Sequence, residues 1–126
     1  MLNLDTHVFL DAARNNLDRA ELSLLRRKAP LGISTIVLWE IELLYRVERI
    51  QYGIDHPVVV AMLESVVIWP LDVEVCLALR RLDFKADPAD EIIAATSLAR
   101  RVPLLTRDSR LRGSALLRRQ GLLALA

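Results

Sequence analysis

Short apolar runs alternate with longer amphipathic segments along the 126 residues of the chain. Apolar runs of about four residues predict strands, whereas apolar residues that recur every three or four positions predict helices. The predicted strands cover residues 1–4, 33–34, 66–69, 103–106 and 122–125. The predicted helices begin after Asp5 and then cover residues 18–28, 34–49, 58–64, 73–82, 87–98 and 114–119.

Helices separate the predicted strands from one another, which is typical of proteins with a parallel sheet. Helices cover both faces of such a sheet. The sequence therefore predicts an α/β fold in which a short, mainly parallel central sheet is flanked by helices. A chain of 126 residues can bury one core but not two, so residues 1–126 are expected to form a single domain.

Composition adds three expectations. Hydrophobic residues make up 53% of the chain and mean hydropathy is +0.30, which indicates that a partner or a second copy covers apolar surface. No apolar stretch approaches the length of a membrane span, and the N-terminus lacks the basic start of a secretory signal, so a cytosolic protein is expected. The single cysteine, Cys76, lies in an apolar run and is predicted to be a core residue.

The charge of the chain gives little indication of its partners. The formal net charge is +1, which argues neither for nor against nucleic acid. Arg107, Arg110 and Arg112 follow the predicted strand at residues 103–106 and are candidate contacts for RNA. A solvated helix face or loop explains these three arginines equally well.

Two aspartates follow predicted apolar strands. Asp5 comes directly after the first strand, and Asp108 comes two residues after residues 103–106. In parallel sheets ligands bind beyond the carboxyl ends of the strands, so both side chains are expected at one crevice. Each aspartate alone is also a common helix cap or turn residue, an alternative that becomes weaker because the arrangement occurs twice.

Glu40 lies in the middle of an apolar stripe of its predicted helix. The residues one turn away include Ile36, Val37 and Leu44, all of them apolar. An isolated buried carboxylate is costly unless it is paired or bound to a cation. Glu40 is therefore a candidate metal ligand, whereas Glu42 is expected on a solvated face where it can pair with Arg46.

Asp90 is the fourth candidate acid. Asp87 and Pro88 predict the start of a helix, and a negative charge in the first turn at Asp90 also suits the helix dipole. Its one-turn neighbour Ile93 indicates that Asp90 faces inward. The pattern leaves Glu91 open as the functional acid in place of Asp90.

Four segments of the chain resemble a known family. They are Leu4-Asp5-Thr6-His7-Val8, then Ser34-Thr35-Ile36-Val37-Leu38-Trp39-Glu40-Ile41, then Asp87-Pro88-Ala89-Asp90 with the helix that follows, and finally Pro103-Leu104-Leu105-Thr106-Arg107-Asp108. These segments occur in the order, and close to the spacing, found in PIN-domain proteins, specifically the VapC-type ribonuclease toxins of toxin–antitoxin pairs. Together they cover nearly the whole chain.

The resemblance implies a PIN-like α/β/α fold and an acidic site made of Asp5, Glu40, Asp90 and Asp108. It also implies a homodimer and a small antitoxin that blocks the cleft. Thr6 and Thr106 lie beside the aspartates and could hold them, or a water, through their hydroxyls. The chain departs from the family at Glu91, where relatives often carry arginine, and at Ala89, where a bulky aromatic is common. These departures concern substrate fit or partner contacts more than metal binding.

The predicted chemistry follows from the charge of the four acids. Hard divalent cations that prefer oxygen ligands, Mg²⁺ or Mn²⁺, are the natural counter-ions of clustered carboxylates. Such ions activate water for attack on a phosphodiester, so the predicted function is metal-dependent RNA hydrolysis. One acid could also act as the general base. The alternatives are a non-catalytic RNA-binding module and a metal-dependent phosphatase or DNA nuclease.

Overall fold

The fold is described by a computed structural model that covers residues 1–124. Its four strands are β1 (Leu2–Leu4), β2 (Leu31–Ser34), β3 (Val67–Trp69) and β4 (Leu104–Leu105). All of them pair in parallel, in the order β3-β2-β1-β4. Helices flank this sheet, so the predicted α/β class with a short parallel central sheet is confirmed.

Eight α-helices connect and cover the strands within residues 1–124. They are α1 (Thr6–Ala13), α2 (Arg19–Lys28), α3 (Thr35–Arg46), α4 (Pro57–Glu64), α5 (Val73–Ala78), α6 (Pro88–Arg100), α7 (Ser109–Arg112) and α8 (Ala115–Arg119). A 3₁₀ turn, Leu79–Arg81, continues α5. None of the helices that the structure describes is long and apolar enough to cross a membrane.

The core lies between the sheet and the helices. Leu4 of β1, Ile33 of β2, Ile41 of α3 and Ile93 of α6 are fully buried. The sheet also holds a buried polar residue, Asn3, whose Nδ2 donates to the Ile93 carbonyl at 3.1 Å and to Ser97 Oγ at 2.9 Å. These bonds fix α6 against β1 and so determine where the first turn of α6 meets the end of the sheet.

Strand β2 begins earlier than predicted. The strand was predicted at residues 33–34, but Leu31 and Gly32 also belong to it. A Cβ atom at Gly32 would lie 2.3 Å from Cη2 of Trp69. The glycine is therefore required because the indole ring of β3 packs directly on the backbone of β2.

Two expectations about burial and one about a strand differ from the structure. The apolar run at residues 66–69 is typical of a buried strand, but β3 is an edge strand, and Val67 and Ile68 are about two-fifths exposed. Cys76 is exposed rather than in the core, because α5 buries Val75 and Ala78 instead. The predicted strand at 122–125 is reduced to a single bridge between Leu123 and Leu104, and its residue 125 lies outside the described part of the chain.

Candidate metal centre

The strand order brings the predicted acids to one end of the sheet. β1 lies between β2 and β4, and all three run in the same direction. Asp5 follows β1, Glu40 lies on the helix that follows β2, and Asp108 follows β4. Asp90 is in the first turn of α6, which packs against α3. All four acids therefore line one cleft at the carboxyl ends of the parallel strands, where the sequence pattern predicted Asp5 and Asp108.

Three of the four acids form a close cluster. One carboxylate oxygen from each of Asp5, Glu40 and Asp90 lies within 4.8 Å of the other two. Asp5 is buried, whereas Glu40 and Asp90 are partly buried. The cluster lies in a cleft of about 740 Å³, and Asp108 lines the same cleft without belonging to the cluster.

Threonine hydroxyls hold two of the clustered carboxylates. Asp5 Oδ2 accepts a hydrogen bond from Thr106 Oγ1 at 2.5 Å, and its Oδ1 accepts from the Thr6 backbone N–H at 2.8 Å. The Thr6 hydroxyl donates to Oε1 of Glu40. Both threonines are buried, so the positions of these carboxylates are fixed by the fold.

The electrostatics of the cluster disfavour three negative charges in one place. Burial raises the pKa of Asp5 and of Glu40, against the hydrogen bonds that the threonines donate. Burial, and then the nearby charges of Asp5, Glu40 and Asp108, raise the pKa of Asp90 to about 7. A divalent cation would offset this repulsion, and the all-oxygen donor set fits Mg²⁺ or Mn²⁺.

Asp108 has two roles in the structure. Its Oδ1 caps α7 by accepting from the backbone N–H groups of Arg110, at 2.8 Å, and Leu111, at 3.2 Å. Its Oδ2 lies 3.6 Å from Nη2 of Arg110, and the same nitrogen lies 4.0 Å from Oδ2 of Asp90. The helix-cap explanation of Asp108 and its predicted place in the cleft therefore both hold.

Asp90 and Glu91 point in different directions. Asp90 belongs to the cluster, whereas Oε2 of Glu91 accepts a hydrogen bond from the Ala86 N–H at 3.0 Å. Asp87 also lines the cleft, a position that the sequence did not indicate because a helix cap already explained the residue. Its side chain makes no capping hydrogen bond, which leaves the carboxylate exposed at the cleft.

Comparison with known proteins identifies the fold. The family model of the PIN domain matches residues 3–115. The chain belongs to the PIN domain family. No protein with a curated description matches the sequence.

Solved structures with the same fold cover nearly the whole of this PIN domain. VapBC2 from Rickettsia felis, bound to a DNA fragment from its promoter, is 20% identical with a TM-score of 0.68, over 100% of this chain and 98% of the other. A toxin–antitoxin complex from Klebsiella pneumoniae is 22% identical with a TM-score of 0.66, over 90% and 92%. FitAcB from Neisseria gonorrhoeae is 20% identical with a TM-score of 0.61, over 88% and 90%. At these identities the likeness shows the fold alone.

Two acids bind the arginine that precedes Asp108 in this PIN domain. Arg107 donates to both carboxylate oxygens of Glu21, from Nε at 2.7 Å and from Nη2 at 2.8 Å. Its Nη1 donates to Oδ2 of Asp11 at 2.5 Å. Arg107 and Arg110 both line the cleft, and Arg110 is half exposed. Contact of either arginine with RNA stays a prediction.

The acids that bind Arg107 were missed in the sequence. The hydrogen bond from Arg107 lowers the pKa of Glu21. Burial acts to raise the pKa of Asp11, but bonds from Arg107 and Arg14 lower it overall. Glu21 lies 86 residues from Arg107 along the chain. No local pattern could have predicted such a pairing.

Three other polar residues of this PIN domain have defined positions. Glu42, expected on a solvated face, has its Oε2 buried without a hydrogen-bond partner among residues 1–124. His56 caps α4 by accepting from the Val58 N–H at 3.2 Å, a structural role. His7 is exposed and lines the cleft beside Asp5.

Proposed function

We propose that this protein is a Mg²⁺- or Mn²⁺-dependent endoribonuclease and the VapC-type toxin of a toxin–antitoxin pair. The observation that carries the proposal is the cluster of Asp5, Glu40 and Asp90 oxygens within 4.8 Å of one another, in a cleft at the end of the sheet of a PIN domain. One similar structure is a toxin–antitoxin complex and another is VapBC2, which supports the toxin assignment.

The residues have distinct proposed roles in the reaction. Asp5, Glu40 and Asp90 would hold the cation, which would supply an activated water and neutralise charge on the phosphodiester. Asp108 lies outside the cluster and would reach the cation through a water, and its Oδ2 lies 3.6 Å from Nη2 of Arg110 at the cleft. The guanidinium of Arg110 attracts the phosphate. One carboxylate accepts the proton of the attacking water.

The proposed partners are a small antitoxin, a second copy of this chain and an RNA substrate, all in the cytoplasm. Large apolar side chains remain exposed on α3, β3 and α5. Apolar surface of this kind is covered by partners in many proteins. An amphipathic antitoxin helix lying in an apolar groove would be one such contact.

Cleavage of RNA by the purified protein tests the proposal. Structured and single-stranded RNAs are incubated with Mg²⁺, Mn²⁺ or EDTA, and duplex DNA is included as a competing substrate. We expect RNA cleavage with metal and none with EDTA. Asp90→Asn should abolish cleavage, whereas the matched control Glu91→Gln, one residue away but outside the cluster, should retain it.

Two results would contradict the proposal in different ways. RNA that is bound but not cleaved with any metal would favour the non-catalytic binding module. Cleavage that persists in EDTA or in Asp90→Asn would show that the carboxylate cluster does not carry the activity. Preferential cleavage of DNA would reassign the substrate and leave the metal centre in place.

A further inference from the structure

One wall of the acidic cleft carries an exposed tryptophan. Trp39 of α3 is 53% exposed and lines the cleft directly beside Glu40 in sequence. Tryptophan is usually highly buried, because its side chain is the largest apolar surface available to a protein. The other tryptophan of the chain follows this rule, since Trp69 is 9% exposed and packs over Gly32. The exposure of Trp39 therefore indicates a contact surface.

The surroundings of Trp39 show what chemistry would fit there. Leu43, one turn further along α3, is also exposed and continues the apolar wall. Arg49 and Arg110 line the same cleft. The cleft thus combines carboxylates for a cation, guanidinium groups for phosphate and a flat aromatic surface. Proteins that bind single-stranded nucleic acid use cationic grooves together with aromatic side chains on which bases stack.

We propose that Trp39 is a stacking platform for an unpaired base of single-stranded RNA. The stacked base belongs to a nucleotide next to the phosphodiester bond that is cut. This inference rests on the proposed ribonuclease function. Trp39 and Glu40 line the same cleft, so a base on this platform lies next to the phosphate held at the acidic cluster. Bases in a duplex are already stacked on their neighbours, so the platform selects single-stranded over paired RNA.

Tryptophan fluorescence measures this contact directly. The chain has two tryptophans, and because Trp69 is buried, quenching on RNA binding reports on Trp39. The probe is a 12-nucleotide oligoadenylate in the presence of Ca²⁺, which takes oxygen ligands as Mg²⁺ does. We expect quenching in the wild-type protein and none in Trp39→Phe, whose remaining emission comes from Trp69.

Affinity provides the second readout. With fluorescein-labelled oligoadenylate, we expect Trp39→Ala to bind about five- to one-hundred-fold more weakly, and Trp39→Phe to recover most of the loss. Tyr45→Ala is the matched control, since Tyr45 is an exposed aromatic of the same helix that does not line the cleft. The same oligonucleotide annealed to its complement should bind to wild type and to Trp39→Ala with equal affinity. A general structural defect in Trp39→Ala would instead weaken the binding of both single-stranded and paired RNA.

The outcomes separate this inference from the proposed function. Quenching without cleavage in any metal would support the platform and reject the endonuclease. Equal RNA affinity of Trp39→Ala and wild type, with cleavage intact, would overturn the platform, keep the endonuclease and assign the indole to a surface that a protein partner covers. Absence of quenching and of RNA binding in the wild-type protein would overturn both.

Discussion

Two buried threonine hydroxyls determine where the carboxylates of the metal centre point. Thr106 donates to Asp5, and Thr6 donates to Glu40. A residue that hydrogen-bonds to a metal ligand orients that ligand and tunes its basicity. Loss of such a residue typically reduces metal affinity or activity about 10–100-fold. The geometry of the cluster should therefore depend on residues that do not themselves bind the cation.

Replacing Thr6 by valine tests this dependence. Thr6→Val preserves the shape of the side chain but removes the hydrogen bond to Glu40, so we expect metal-dependent RNA cleavage to fall about 10–100-fold. The control is Thr96→Val, which removes an equally buried hydroxyl of α6 that donates to the Ile92 carbonyl and is remote from the cleft. Equal activity of the two variants would contradict a positioning role for Thr6.

Glu40 was predictable from its local surroundings, because it interrupts an apolar stripe. Asp5, Asp90 and Asp108 each also fit an ordinary helix end, so the full set of four acids came from the resemblance to PIN-domain proteins. The sequence could not show that Asp108 stands outside the close cluster or that Glu21 and Asp11 bind Arg107. Those facts depend on side-chain directions and on contacts between distant parts of the chain.

At the scale of elements, Arg107 joins the segment after β4 to α1 and α2. Its partners Asp11 and Glu21 are buried, and their pKa values are lowered in the folded protein. Carboxylates with lowered pKa values stabilise the fold fully above their unfolded pKa values of about 4. This stabilisation is lost as the pH falls through the lower folded values.

Glu21→Gln should therefore destabilise the protein in a pH-dependent way. We expect its free energy of unfolding in urea to be about 1–2 kcal/mol below wild type at pH 7, because charged hydrogen bonds to Arg107 are lost. The difference should shrink at pH 3. Glu74→Gln is the control, since Glu74 pairs with Arg100 at 3.4 Å on the surface and should contribute little at either pH. A difference that is the same at both pH values would contradict the account.

Element order was predictable from the sequence, whereas element boundaries were not. Strands separated by helices were sufficient to predict the parallel sheet. The extension of β2 through Gly32 required knowledge of Trp69, which lies above it in the neighbouring strand. Helix α7 was missed because its four residues, Ser109–Arg112, are too few to show a period.

For the molecule as a whole, one run of exposed apolar side chains follows β3 and α5. Val67 and Ile68 are adjacent in an edge strand, so their side chains point to opposite faces, and both are exposed. Leu71, Val73 and Leu77 are exposed in the segment that follows. The composition had predicted such surface, but only the fold shows where it lies.

We expect this surface to pair two copies of the chain. Light scattering should give the mass of a dimer for the wild-type protein. Val73→Asp should give a monomer, because it places a charge in the apolar contact. The helix itself should stay folded, since a negative charge in the first turn of α5 suits the helix dipole. Val47→Asp, at an exposed valine at the end of α3, should remain dimeric. A wild-type mass of one chain would contradict the proposed homodimer.

Calorimetric titration with Mn²⁺ measures whether Asp5, Glu40 and Asp90 together bind the cation on which the proposed cleavage depends. We expect wild type and Glu91→Gln to bind Mn²⁺ equally well and Glu40→Gln to bind at least about tenfold more weakly. Equal Mn²⁺ affinity of Glu40→Gln and wild type would show that the three carboxylates do not form the metal centre.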